Sequence, residues 1–210
     1  MNMTHYPKLQ YISQGITAAD QYRNITKVLR EGCTWVQLRW KGTAIPDLKA
    51  LARQVLLLKQ EYAFTFILND HTALAQELHV DGVHLGLQDM PVTEARAMLG
   101  AGKIIGGTAN TLADVQQRIA EGCDYIGLGP YRFTTTKEQL SPILGLEGYR
   151  NILGSIDPFP VPLFAIGGIR QNDIPALMTT GVYGIAASGL LIQSAVPEIM
   201  QHLNYSTCPH

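Results

Sequence analysis

The residues best suited to chemistry stand in short clusters, each closing an apolar run. Gln37-Leu38-Arg39-Trp40-Lys41 closes one such run, and strand alternation turns Gln37, Arg39 and Lys41 to the same side. An arginine fork and a lysine point charge beside an amide suit a diphosphate; the plain alternative is a solvated strand end paired with acids on a neighbouring helix. Asn69-Asp70 and Gly86-Leu87-Gln88-Asp89 close the next two runs. Carboxylates beside a diphosphate repel it unless a cation bridges them, and Mg²⁺ uses one or two carboxylates plus phosphate oxygens. Asp70 read alone is a helix cap; Asp70 read with Asp89, Arg39 and Lys41 points to a metal. Thr108 closes a further run, and its hydroxyl would reach the same place. The longest connection, Pro130 to about Glu147, carries Thr134-Thr135-Thr136-Lys137. Three hydroxyls and a cation there can close over an anionic substrate and exclude water.

These clusters need a scaffold that aims them at one point. Strand-type runs are expected at Lys8–Ser13, Trp35–Arg39, Thr65–Asn69, Gly82–Gly86, Lys103–Thr108, Tyr125–Gly129, Pro162–Gly168 and Gly184–Ser188. Helical spacing falls between them: Asp20–Glu31 opens on an Asp cap, Pro46–Glu61 carries Leu48, Leu51, Val55 and Leu58, and Leu112–Glu121 and Asn172–Thr179 follow, the last capped by Asn172. A weak repeat places Gly32, Gly122 and Gly181 just after a helix and just before a strand. Near-continuous apolar strands alternating with helices predict a parallel sheet buried on both faces. Eight βα units predict a compact α/β fold, one (β/α)8 TIM barrel over residues 1–210 with its core at about 8–203. The competing open sheet would carry G-x-G-x-x-G after its first strand, and none is there. In a TIM barrel the loops after strands 7 and 8 are the usual phosphate site, which selects Gly167-Gly168-Ile169 and Ala187-Ser188-Gly189.

Charged residues make up only 16% of the chain and apolar ones 46%, which excludes a disordered chain. Sixteen Lys+Arg against seventeen Asp+Glu leave a net charge of −1, so nucleic acid is not an expected partner. Cys33, Cys123 and Cys208 include no C-x-x-C pair, and a reduced, cytoplasmic protein is expected; Cys33 and Cys123 read as small buried hydrophobes. No signal peptide is legible in Met1–Tyr11, and the uncharged stretch Ile174–Pro197 is too broken by glycines to read as a membrane span. His84 reads as a hydrogen-bonded interior residue, and no histidine pair has H-E-x-x-H spacing. Monomer and homo-oligomer both stay open.

Taken in order, Gln37-Leu38-Arg39-x-Lys41, Asn69-Asp70, Gly82-Val83-His84-Leu85-Gly86 with Asp89-Met90-Pro91, Gly127-x-Gly129-Pro130, Thr134–Lys137, Gly167-Gly168-Ile169 and Ala187-Ser188 resemble the thiamine-phosphate synthase (thiamine-phosphate pyrophosphorylase) family. The resemblance implies a transferase of thiamine biosynthesis. It would condense 4-amino-2-methyl-5-(diphosphooxymethyl)pyrimidine with thiazole phosphate, giving thiamine phosphate and diphosphate with Mg²⁺ through a dissociative mechanism. It implies that Asp70 and Asp89 hold Mg²⁺ and that Arg39, Lys41 and Lys137 are the catalytic cations. Substrate contacts would come from Gln37, Leu38, Arg39, Trp40, Lys41, Asn69 and Thr108, from Thr134, Thr135, Thr136 and Lys137, and from Gly168, Ala187 and Ser188. Trp40, His71, Ala73 and Leu87-Gln88 depart from the family pattern without removing a metal ligand or a diphosphate contact. Two alternatives share the fold: a thiazole tautomerase of the same superfamily, which has no leaving diphosphate, and a non-catalytic phosphate-binding barrel.

Overall fold

A computed structural model describes residues 6–133, 142–156 and 159–205. Eight strands close a barrel in sequence order: β1 (Leu9–Ile12), β2 (Trp35–Leu38), β3 (Thr65–Asn69), β4 (Gly82–Leu85), β5 (Ile104–Ala109), β6 (Tyr125–Leu128), β7 (Leu163–Ile166) and β8 (Gly184–Ala187). Every neighbouring pair is parallel, and β8 closes on β1 through Leu9 opposite Ile185 and Tyr11 opposite Ala187. The expected barrel is therefore what forms. Each strand lies within two residues of its expected bounds, because an apolar run buried on both faces has little freedom to slip.

Helices coat the outside: α1 (Ala18–Arg30), α2 (Ile45–Leu57), α3 (Thr72–Glu77), α4 (Val92–Leu99), α5 (Leu112–Ala120), α6 (Gly145–Gly154), α7 (Ile174–Met178), α8 (Gly189–Gln193) and α9 (Val196–Tyr205). Helix boundaries depart from expectation where side-chain capping decides them. Thr17, not Asp20, caps α1; Asp20 sits three residues on and returns a bond to the Thr17 amide at 3.2 Å, a capping box. The helix expected over Pro46–Glu61 ends at Leu57 and tightens into a 3₁₀ turn over Leu58–Gln60. Asn172 is not a cap. A 3₁₀ turn over Gln171–Asp173 comes first, with Asp173 accepting from the Arg170 amide at 2.8 Å, and α7 then starts at Ile174.

The core has two shells. Outward strand residues such as Val36, Leu38, Leu68 and Ile126 pack with the helices in one large cluster. Inward residues form a second cluster of Ile12, Trp35, Ile67, Tyr125, Phe164 and Ala186. Trp35 meets Tyr125 and Phe164 edge-on with centroids 4.9 and 5.1 Å apart, and Tyr6 stacks on Trp35 at 5.0 Å. The lower barrel is thus filled by rings, and anything that binds must bind above them. Cys33 and Cys123 are buried in the outer shell, where burial pushes their thiols up to about 11 and about 12. Among the described residues no helix is long and apolar enough to cross a membrane.

Candidate active site

A cavity of about 960 Å³ opens at the carboxyl ends of the strands. Its lining includes Gln37, Arg39, Trp40, Lys41, Asn69, Thr108, Gly168, Ala187 and Ser188, so nine of the expected substrate residues converge there. Leu38 is a correction. It is 1% exposed and packs among the helix-facing residues, because alternation that turns Gln37 and Arg39 inward must turn Leu38 outward. Its side chain is core. Thr134, Thr135, Thr136 and Lys137 lie outside the described residues.

The β2 end is held by the loop before α1. The Arg39 amide donates to Ser13 Oγ at 2.9 Å, Gln21 Nε2 donates to the Arg39 carbonyl at 3.3 Å, and Trp40 Nε1 donates to the Ile16 carbonyl at 3.3 Å. Burial lowers the Arg39 guanidinium below its ordinary value while Asp70 pulls the other way, and it stays a cation. The Lys41 ammonium lies 3.5 Å from Asp70. Asp70 is not a cap: its backbone is left-handed at φ 67°, and α3 begins on His71 with no side-chain cap. Freed from capping, its carboxyl faces Asp89. Burial first, then the hydrogen bond and charge of Asp89, raise Asp70 to about 6, with Lys41 opposing.

Asp89 also accepts from the Gly86 amide at 2.6 Å, which folds the turn after β4 back on itself. Arg118 of α5 holds the same turn from beneath. It is 3% exposed, donates to the Gly86 carbonyl at 2.8 Å and the Thr108 carbonyl at 3.1 Å, and pairs with Glu121 at 2.7 Å. Gly107 has to be glycine there, since a Cβ would meet both Arg118 Cδ and Cys123 Sγ at 2.7 Å.

On the far side, Gly167 and Gly168 take positive φ values of 91° and 68° under the chain that leaves β6. A Cβ on Gly167 would stand 2.8 Å from Pro130 Cβ, and one on Gly168 3.0 Å from Arg132 Cβ. Tyr131 and Arg132 donate backbone bonds to Ile166 and Gly167 at 2.9 and 3.0 Å, and the Arg132 guanidinium grips both Asp173 oxygens at 2.7 and 2.9 Å. By strand order β7 and β8 stand across the barrel from β3 and β4. The cavity therefore has two separate rims, one cationic, one built from glycines and small residues; Asp70 and Asp89 lie outside its lining, beside Lys41 of the cationic rim.

Sequence reasoning missed the near wall made by Ser13, Gln14, Gly15 and Ile16, and the inward polar residues Gln10 and Tyr125 beneath. A glutamine in the apolar run Leu9–Ile12 was the available signal for Gln10. His84 is interior as expected, 5% exposed and bonded at both ring nitrogens, and it also touches the cavity.

Fold and cavity together define a TIM-barrel enzyme whose ligands enter where the strands end. A family model described as thiamine monophosphate synthase matches residues 10–191, and the chain belongs to that family. A thiamine-phosphate synthase of Flavobacterium johnsoniae is 54% identical over 202 residues, 95% of this chain and 95% of its own length. That of Phocaeicola vulgatus is 46% identical over 192 residues, 90% of this chain and 92% of its own. The solved thiamine phosphate pyrophosphorylase from Pyrococcus furiosus matches with TM-score 0.83 at 27% identity, covering 96% of this chain and 97% of that one. A 3-hexulose-6-phosphate synthase structure, at 16% identity and TM-score 0.65 over 96% of this chain and all (100%) of its own, shares the fold alone.

Proposed function

We propose that this synthase couples the aminopyrimidine diphosphate to thiazole phosphate with Mg²⁺, by a dissociative route. The carrying observation is the two-rim cavity, with Arg39 and Lys41 on one rim and the Gly168–Ser188 cradle on the other. Two anionic substrates need two such places. Asp70, 3.5 Å from Lys41, and Asp89 stand beside the first rim, outside the cavity lining. Arg39 and Lys41 would hold the diphosphate, Gln37, Asn69 and Thr108 the pyrimidine, and Gly168, Ala187 and Ser188 the thiazole phosphate. As the methylene–oxygen bond breaks, its electron pair leaves with the diphosphate. The thiazole nitrogen lone pair then forms the new carbon–nitrogen bond. Charge on the departing oxygens is what the cationic rim stabilises, and Lys137 is assigned to the same task.

Asp70 and Asp89 fit Mg²⁺. A carboxylate raised to about 6 by burial and then by its neighbour is a site a divalent cation would relieve. Among the described residues no cluster of three or more His, Cys, Asp or Glu is present, so the remaining positions would fall to phosphate oxygens and water. When bound, the ion would supply charge neutralisation of the leaving diphosphate. The test is an assay with both substrates, with Mg²⁺ and with chelator, following thiamine phosphate and diphosphate together. Equal formation of both products only with metal supports the reading. Undiminished turnover under chelator removes the metal, and thiazole isomerisation without thiamine phosphate removes the coupling. Electron-withdrawing groups on the pyrimidine should slow single turnovers steeply if ionisation comes first.

A further inference from the structure

Five side chains from five strands form one hydrogen-bonded chain across the barrel, just above the aromatic rings. Gln37 Nε2 donates to Gln10 Oε1 at 3.2 Å, and Gln10 Nε2 donates to the Tyr125 hydroxyl at 3.1 Å. That hydroxyl stands 3.1 Å from His84 Nδ1, and His84 Nε2 stands 3.0 Å from Thr108 Oγ1. Two glycines make room: a Cβ on Gly106 would overlap the Tyr125 ring, and one on Gly127 would come 3.2 Å from His84 Cε1. Gln10, Gln37 and Tyr125 are at most 1% exposed and His84 is 5% exposed, so water does not compete for these bonds.

The chain has a direction. Gln37 gives an amide hydrogen to Gln10, and Gln10 gives one to the Tyr125 oxygen. A phenol has one hydrogen to give and two lone pairs to accept with. With the Gln10 amide donating to one lone pair, the hydroxyl's own hydrogen goes to His84 Nδ1. An Nδ1–H on His84 would set hydrogen against hydrogen and strand the buried phenol proton. His84 is therefore the Nε2–H tautomer and donates to Thr108, whose own hydrogen is left for the cavity. Gln37 Oε1 is likewise left as an acceptor.

We propose that Gln10 and Tyr125 are positioning residues which fix this polarity, so that the cavity offers an acceptor at Gln37 and a hydrogen at Thr108. The ligand that matches is a heteroaromatic ring with an exocyclic amino group and an unprotonated ring nitrogen; its oxo counterpart sets a carbonyl against the Gln37 oxygen. The ring's identity rests on the proposed pyrimidine substrate; the wiring does not.

Two measurements test it. Histidine ¹⁵N spectra of the unliganded protein, with His84 identified by its loss in His84→Gln, should show the Nε2–H tautomer; an Nδ1–H tautomer overturns the proposal whether or not any variant folds. The second is the ratio of kcat/KM for the aminopyrimidine diphosphate to that for its 4-oxo analogue. Tyr125→Phe and Gln10→Leu should each lower that preference about tenfold, the scale of one lost buried hydrogen bond. General damage to the barrel would lower both rates and leave the ratio alone, and an unmoved ratio in both variants overturns the proposal. If the wild type uses neither pyrimidine, the enzymatic reading fails and the tautomer measurement still decides the wiring.

Discussion

The floor and the rim of this barrel use opposite physics. Beneath the cavity Trp35, Tyr125 and Phe164 meet edge to face with no exposed surface. Above it a left-handed Asp70 faces Asp89, and Arg39 is partly stripped of water. The floor is stabilised by apolar burial that asks nothing of pH or ligands. The rim is a set of charges whose mutual strain a ligand relieves. The difference shows why stability and turnover should be separable by mutation in so small a domain.

Trp35→Ala should have the largest effect, destabilising by about 3–5 kcal/mol in denaturant titrations through lost burial and a cavity. Trp35→Phe should cost much less, since the indole Nε1 has no hydrogen-bond partner among the described residues. Equal costs would mean that a smaller ring recovers nothing, so that the full indole and not aromatic burial in general holds the floor.

Arg118 joins floor to rim, and Arg118→Ala should cost about 2–4 kcal/mol of stability by removing a buried guanidinium that bonds Glu121 and the Gly86 and Thr108 carbonyls at once. Turnover should fall as well, because the turn carrying Asp89 loses its support. A stability loss with unchanged kcat in the folded fraction would confine Arg118 to structure.

Asp89→Asn keeps an acceptor for the Gly86 amide and removes the charge. Turnover should drop about 100-fold, roughly 3 kcal/mol, while the denaturation midpoint hardly moves. Near-normal turnover across a Mg²⁺ titration would take Asp89 out of the metal site.

The smallest effect is a pH dependence. In the metal-free protein Asp70 keeps its proton up to about pH 6, against 3.8 for an ordinary aspartate. Between those values the folded chain binds more proton than the unfolded one, so stability falls as pH rises through that window. The loss should be about 1–2 kcal/mol, allowing for solvent screening at the cavity mouth. It should vanish in Asp70→Asn and shrink when Mg²⁺ is added; thermal melts from pH 4 to 7 measure all three cases.

The barrel was legible because strands buried on both faces read as unbroken apolar runs; Thr65–Asn69 even matches at both ends. Arg39, Lys41, Asn69 and Thr108 were legible because charged or polar residues closing such runs have only the mouth to point into. What stayed hidden depends on contacts between strands distant in sequence. Gln10 and Tyr125 are 115 residues apart and touch only once the barrel closes. The bonds of Arg118 to the Gly86 and Thr108 carbonyls cross from helix to strand ends in the same way, and the left-handed backbone of Asp70 has no signal in the residue types around it.

The bonds that tie Tyr131 and Arg132 to Ile166, Gly167 and Asp173 have a consequence for how the molecule responds in time. The chain leaving β6 and the cradle after β7 open together or not at all, so they belong to one cooperative unit. A phosphate settling against Gly168 should therefore slow hydrogen exchange at the Tyr131 and Arg132 amides without touching them, an outcome that exchange measurements with and without inorganic phosphate check.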